Sequence, residues 1–300
     1  MSPWLNQAMK ICRTIDEMRL ASRGARQNQR RLGFVPTMGA FHAGHISLVR
    51  AARRQCDAVA ASIFVNPTQF GPTEDFSKYP RNFERDCELL EAEGVDIVFA
   101  PSTEEMYSPN ATTFVVVERL SEKLCGRSRP GHFRGVTTVV SKLFNIVEPD
   151  LAFFGQKDSA QAVIIQRMVR DLNLDVEIVV CPIVREPDGL ALSSRNAYLD
   201  PKQRKRATVL YRSLMRVQSL ADSGERDSAR LVAAALDVFE EEPEVRLDYF
   251  EIVDRETLDP VANTSKGALV AVAAFVGSTR LIDNIVLQGA GVANAKGPHQ

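Results

Sequence analysis

Phe34-Val35-Pro36-Thr37-Met38-Gly39-Ala40-Phe41-His42-Ala43-Gly44-His45 is the stretch on which the reading of this chain turns. A short apolar run ends at a proline and a glycine turn, and two histidines then flank a glycine. Ile46, Leu48 and Val49 continue with helical spacing, so the stretch reads as a strand, a tight turn and the first turn of a helix. Such a junction aims backbone N–H groups and the positive end of a helix at whatever lies above the sheet, which favours phosphate. The histidines add donors that can follow charge during phosphoryl or nucleotidyl transfer. A buried structural histidine pair is the alternative. Of the 4 histidines in the chain, these are the two that share a motif.

Working outward, strand-like and helix-like segments alternate from residue 31 to about 183. Strands are expected at 32–36, 58–65, 95–100, 151–154 and 176–182, with an extended segment at 113–117. Helices are expected at 45–55, 82–93, 136–147 and 159–172. This rhythm predicts an α/β fold, a doubly wound parallel sheet with helices on both faces. Ligands then bind beyond the carboxyl ends of the strands. After about residue 200 the rhythm changes to two helices, 201–221 and 227–241, followed by extended segments at 247–253, 268–276 and 280–287. That order reads as a second, smaller α+β domain. The expected division is 1–183, 184–287 and a tail at 288–300 that lacks apolar periodicity and is read as disordered.

Four further clusters stand out, the first three of them after strands. Gly155-Gln156-Lys157-Asp158 follows an apolar strand and opens a helix, which sets Lys157 beside a helix N-terminus as a point charge for phosphate or as a solvated surface lysine. Gln161, one turn on, can reach a polar substrate in the same cleft. Leu192-Ser193-Ser194-Arg195 is either a mobile phosphate-holding loop, with Arg195 bidentate, or an ordinary turn. Asn66-Pro67-Thr68-Gln69 ends a buried strand and makes Gln69 an amide donor at the cleft, or a plain turn residue. The basic, glycine-rich loop 126–135 leads into a helix; its His132 is assigned to structure or to a subunit contact, with a ligand contact as the other reading. The chain has no Gly-x-x-x-x-Gly-Lys-Ser/Thr, Gly-x-Gly-x-x-Gly or Gly-x-Ser-x-Gly pattern.

Composition excludes several classes. With 45% hydrophobic residues in 300, the chain has ample material for a core, and its net charge of −1 gives no global case for nucleic-acid or anionic-membrane binding. No apolar run approaches the length of a membrane span. The first ten residues lack the charged-then-apolar pattern of a secretory leader. The 5 cysteines are odd in number and contain no Cys-x-x-Cys, which points to reduced thiols and a cytoplasmic protein.

Together the stretches 36–45, 65–70, 129–158 and 182–196 resemble the pantothenate synthetases, the pantoate–β-alanine ligase family of the nucleotidylyltransferase superfamily. The likeness runs from about residue 9 to 287. His-x-Gly-His alone indicates only the superfamily. The resemblance implies a Rossmann-like, nucleotide- and pantoate-binding N-terminal domain, a smaller C-terminal lid, and a cytoplasmic homodimer that uses ATP and Mg2+. Carried onto matching positions, Met38, Gly39, Ala40, Phe41, His42, Ala43, Gly44 and His45 would contact ATP, with His45 assigned proton donation. Gly155, Gln156, Lys157, Asp158, Val184, Leu192, Ser193, Ser194 and Arg195 would complete the nucleotide site. His45, His42, Lys157 and Arg195 would be catalytic. Gln69 and Gln161 would hold pantoate, and Gln69 would also face β-alanine. The magnesium ligands are not readable. Two departures stand out: Ala160-Gln161 replaces a pair of glutamines, and Gln156 replaces a common glutamate. Rival readings are a nucleotidyltransferase acting on a phosphorylated metabolite and a non-catalytic nucleotide sensor; an aminoacyl-tRNA synthetase is disfavoured by the balanced charge.

Overall fold

The computed structural model describes residues 8–72 and 74–289. Contacts divide them between Arg185 and Glu186, with Leu192–Ser194 returning to the first unit and the residues from Arg195 onward belonging to the second. The expected tail from residue 290 lies outside the described residues.

The first unit is built on β1 (Lys10–Cys12), β2 (Leu32–Thr37), β3 (Ala58–Ile63), β4 (Ile97–Phe99), β5 (Leu151–Gly155) and β6 (Glu177–Cys181). All neighbours pair in parallel, in the order β1-β4-β3-β2-β5-β6. Its helices are α1 (Ile15–Ala25), α2 (Ala43–Gln55), α3 (Phe83–Ala92), the short α4 (Thr103–Met106) and α5 (Cys125–Ser128), α6 (His132–Val147) and α7 (Ser159–Asp171).

Strand alternation sorts the core into two faces. Val35, Val59, Ala61, Val98 and Phe153 pack with Val49 and Ala52 of α2 and Leu90 of α3. The opposite face, including Phe34, Ala60, Phe99 and Phe154, is equally buried. On that side Phe144 of α6 meets Phe154 edge-on at 6.4 Å, and α6 packs against α1, α7 and β2. The doubly wound parallel sheet expected from the alternation is therefore present.

Three local differences have physical causes. The edge strand β1 and helix α1 precede the region of read alternation. Three residues are too few to show a period, although Thr14 and Glu17 close a full capping box on α1. The extended segment 113–117 joins no strand ladder. Instead Val115 N–H donates to Thr138 Oγ1 at 3.0 Å and its carbonyl accepts from Thr137 Oγ1 at 2.6 Å, both on α6. The helix expected over 201–221 is two helices, α8 (Pro201–Arg206) and α9 (Val209–Asp222). At the join, Thr208 Oγ1 donates back to the Lys205 carbonyl at 2.7 Å, and Thr208 N and Leu210 N make i→i−3 bonds.

The second unit adds α10 (Ser228–Glu240) and an antiparallel sheet, β7 (Val245–Val253), β8 (Ala268–Val276) and β9 (Thr279–Leu287), in that order. Leu210, Leu214 and Val217 of α9 and Leu231 and Ala235 of α10 cover Val270, Val272 and Ala274 of β8. Helices then strands, as read, make an α+β unit.

Candidate active site

From β2 the chain moves through β3 to β4 on one side, then crosses to β5 on the other side of β2. The strand order therefore reverses between β2 and β5, the point beyond whose carboxyl ends sheets of this kind bind their ligands. The sequence places Met38–His45 after one of these strands and Gln156–Asp158 after the other.

The turn after β2 is wound tightly. Gly39 has φ +81° and Ala40 has φ +54°, so two successive residues are left-handed and only the first is free of steric cost. Ala40 in that conformation costs about 1–2 kcal/mol on its own. A buried carboxylate compensates: Asp86 of α3 accepts from Ala40 N–H at 2.8 Å and Phe41 N–H at 3.0 Å. Thr37 adds a third tie, its Oγ1 donating to the Ser62 carbonyl at 2.6 Å and accepting from Gly39 N–H at 3.1 Å. The turn is fixed before any ligand arrives.

His42 is the N-cap of α2, with extended backbone and its Nδ1 accepting from Gly44 N–H at 3.1 Å. An accepting Nδ1 puts the proton of the neutral ring on Nε2. The His45 ring lies 4.1 Å from that of His42, tilted by 32°, and Phe41 meets it edge-on at 5.4 Å. His45 Nδ1 is enclosed with no hydrogen-bond partner, so its proton is less costly on Nε2. Burial, aided by the Lys157 charge, pushes the His42 pKa down to about 4. Burial and then His42 push His45 down to about 3. Asp158 opposes both shifts. Lys157 and Asp158 thus share the electrostatic field of the two rings, and both rings are neutral donors at neutral pH.

Gln69 ends a 3-10 turn, Pro67–Gln69, that follows β3. Its Oε1 accepts from Asn66 Nδ2 at 3.1 Å and its Nε2 lies 3.1 Å from Met38 Sδ, which brings the two predicted segments together. Asn66 is itself buried; its Oδ1 accepts from Tyr107 Oη at 2.9 Å. Leu192 also reaches the motif: its Cβ is 3.9 Å from where a side chain on Gly44 would begin, and its N–H donates to the Val184 carbonyl at 3.0 Å. Ser193 and Ser194 follow it in the same unit. Gln161 sits in the first turn of α7, partly buried. Arg195 belongs to the second unit, in the turn Ser194–Tyr198.

Residue-by-residue reading passes over Asp86 and takes Asn66 only as the start of the Gln69 turn. Asp86 carries a usable signal: it occupies the apolar register Phe83, Asp86, Leu90 of α3, where an unpaired carboxylate would be costly. The groups that bear on the turn are two imidazoles, the Lys157 ammonium, the Gln69 amide and the Asp86 and Asp158 carboxylates. The Asp86 carboxylate is taken up by the turn's own N–H groups, and the imidazoles and the ammonium are donors suited to phosphate oxygens. Among the described residues, no three His, Cys, Asp or Glu side chains gather into a metal cage. Among them too, no helix is long and apolar enough to cross a membrane.

Comparison with known proteins identifies the family. The pantoate-beta-alanine ligase family model matches residues 10–286. A pantothenate synthetase of Koribacter versatilis is 62% identical, covering 97% of this chain and 99% of its own. One from Thermotoga neapolitana is 58% identical, over 93% of this chain and 100% of its own. The crystal structure of the pantothenate synthetase from Thermus thermophilus superposes with a TM-score of 0.88 at 48% identity, over 92% of this chain and 99% of its own. A pantoate-beta-alanine ligase from Francisella tularensis, solved with a β,γ-ATP compound and β-alanine, superposes with a TM-score of 0.78 at 34% identity, over 93% of this chain and 98% of its own. The likeness to these enzymes runs over nearly the whole chain, and the chain belongs to the pantoate–β-alanine ligase family.

Proposed function

We propose that the chain joins pantoate to β-alanine at the expense of ATP, forming pantothenate, AMP and pyrophosphate through a pantoyl adenylate. Family membership over residues 10–286 carries the overall reaction. The observation that supports the site is the stacked His42–His45 pair on a pre-wound turn beside Lys157.

A carboxylate resists attack by an amine until one oxygen becomes a good leaving group. In the first step a pantoate carboxylate oxygen attacks the α-phosphorus of ATP, and the bond to the bridging oxygen breaks as pyrophosphate leaves. In the second, the β-alanine nitrogen attacks the acyl carbon, the C–O bond to AMP breaks, and the nitrogen sheds a proton. Neither step needs a covalent enzyme nucleophile. Positioning and donors aimed at phosphate charge can supply the catalysis.

In this reading His42 and His45 offer Nε2–H groups to phosphate oxygens, Lys157 adds a point charge, and residues 38–45, 155–158, 184 and 192–194 line the nucleotide. The neutral His45 acts as a hydrogen-bond donor to developing charge, a narrower role than delivery of a proton from imidazolium. Gln69 and Gln161 hold pantoate, and Gln69 faces β-alanine. Arg195 and the smaller lid domain at 184–287 rest on the family pattern. Mg2+ would be held mainly by the triphosphate, whose charge it would neutralise, as is usual for magnesium at nucleotide sites. A cytoplasmic homodimer, from the family pattern, completes the reading.

Pyrophosphate exchange tests the order of chemistry. Labelled pyrophosphate is expected to enter ATP when pantoate is present and β-alanine absent, because the first half-reaction is then complete and reversible. Exchange that requires β-alanine, or a final product set without AMP, would overturn the reading.

A further inference from the structure

The turn that carries Gln69 is poorly held by its own backbone. Its closing hydrogen bonds, Gln69 N to Asn66 O and Phe70 N to Pro67 O, are long at 3.4 and 3.3 Å. Three residues of 3-10 geometry offer little rigidity. The Gln69 amide is held by Asn66 Nδ2 and Met38 Sδ, while its backbone carbonyl takes its support from outside the turn.

That outside support comes from the loop entering α6. Arg129 makes a bidentate pair with Glu74, Nε to Oε1 and Nη2 to Oε2, both at 2.6 Å. The two side chains are only 18% and 23% exposed, so the pair is sheltered from water. Burial raises the Glu74 carboxyl pKa, but the Arg129 hydrogen bonds and charge outweigh it and hold the group below its ordinary value. With the guanidinium locked, its Nη1 lies 3.0 Å from His132 Nε2. Arginine can only donate, so Nε2 must accept and the proton of the neutral ring must sit on Nδ1. Nδ1 lies 2.9 Å from the Gln69 carbonyl and donates to it. Burial and then the Arg129 charge push the His132 pKa down to about 4, so the ring keeps this form at neutral pH. Gly135 permits the approach: a Cβ there would stand 2.3 Å from the Thr68 carbonyl oxygen and 2.6 Å from Gln69 Cα.

We propose that His132, oriented by Arg129 and Glu74, is a positioning residue for Gln69: its Nδ1–H fixes the Gln69 carbonyl and thereby the angle at which the Gln69 amide meets pantoate. The proposal rests on the reading of Gln69 as a pantoate ligand. It replaces the expectation of a merely structural or intersubunit His132 with a role in substrate geometry.

The test compares His132→Ala, His132→Asn, His132→Gln, Gln69→Ala and the double variant H132A/Q69A, with KM and kcat measured separately for pantoate and ATP. His132→Ala is expected to lower kcat/KM for pantoate roughly 10- to 100-fold, the scale of a small misplacement of a binding group, with the ATP KM unchanged. Asparagine, whose amide nitrogen falls near Nδ1, should restore most of the loss, whereas glutamine, which mimics Nε2, should not. The double variant should be no worse than Gln69→Ala alone. Nitrogen NMR of the unmodified protein should place the His132 proton on Nδ1.

Wild-type pantoate kinetics in His132→Ala beside impaired Gln69→Ala would overturn the positioning role and spare Gln69. So would additive losses, a proton on Nε2, or rescue by glutamine alone. Normal pantoate kinetics in Gln69→Ala would remove the pantoate reading itself and this role with it. Should the alanine variant fail to fold, the contrast between the asparagine and glutamine variants and the tautomer of the native ring decide the matter.

Discussion

His45 shows how a residue's surroundings define its chemistry. A ring with its pKa pushed down to about 3 is neutral at physiological pH and can offer an N–H without first binding a proton. Such a donor, fixed before the reaction, stabilises charge as it develops on phosphate. His45→Ala is therefore expected to slow pantoyl adenylate formation roughly 100- to 1000-fold while leaving the fold intact. Single-turnover quench measurements with ATP and pantoate would check it; near-normal adenylate formation would remove His45 from the mechanism. At this scale much of the site is legible in the sequence. His42, His45, Lys157 and Gln69 are polar residues at strand ends, where a parallel sheet exposes its ligands. The apolar register of α3 marks Asp86 as a buried carboxylate but not what it holds, because its partners, the Ala40 and Phe41 N–H groups, are 46 and 45 positions away in the chain.

Among the elements, α6 does the most to link sequence to site. Its apolar stripe, including Val136, Val139, Val140, Leu143 and Val147, buries one face against the sheet. Its first turn carries Gly135 onto the Gln69 turn, and Asn66 Nδ2 donates to the Gly135 carbonyl at 3.1 Å. Backbone atoms of residues 68 and 69 cannot swing aside as a flexible side chain would. Gly135→Ala is expected to destabilise the protein by about 1–3 kcal/mol through overpacking and to weaken pantoate more than ATP. Urea unfolding together with the two KM values would check this, and an unchanged pantoate KM would show that the turn tolerates the shift. The helix itself is legible from its period. Its start at His132 is not, since Gly131, the N-cap residue, is left-handed at φ +82° and offers no side-chain cap. The same holds for the break between α8 and α9, where the Thr208 hydroxyl turns back to the Lys205 carbonyl and no glycine or proline marks the join.

Across the whole molecule, His42, His45 and His132 are all held well below their ordinary pKa of 6.5, at about 4, 3 and 4. Between roughly pH 4 and 6.5 the unfolded chain binds protons on these rings that the folded chain refuses, so stability rises with pH across that window. It is fully present above pH 6.5 and is lost as the pH falls towards 4. Unfolding at pH 5 is expected to take up roughly one proton per ring. The slope of unfolding free energy against pH reads this number, and His132→Asn should lower it by about one. An unchanged slope in that variant would mean that the His132 ring is already charged in the folded protein.

Whatever depends on neighbours along the chain can be read from the chain alone. Apolar periods of 2 and 3.6 mark the strands and helices of the parallel sheet, and turn residues mark where it ends. The order of the quoted stretches marks the family. Packing in three dimensions settles which distant groups meet at these turns: Asp86 under Ala40 and Phe41, Gln69 beside Met38, and the Glu74–Arg129–His132 chain on the Gln69 carbonyl. The physical reason is that periodicity reports burial, a property averaged over one element. A hydrogen bond between elements instead depends on an interatomic distance of about 3 Å, which the packing of the sheet and its helices sets.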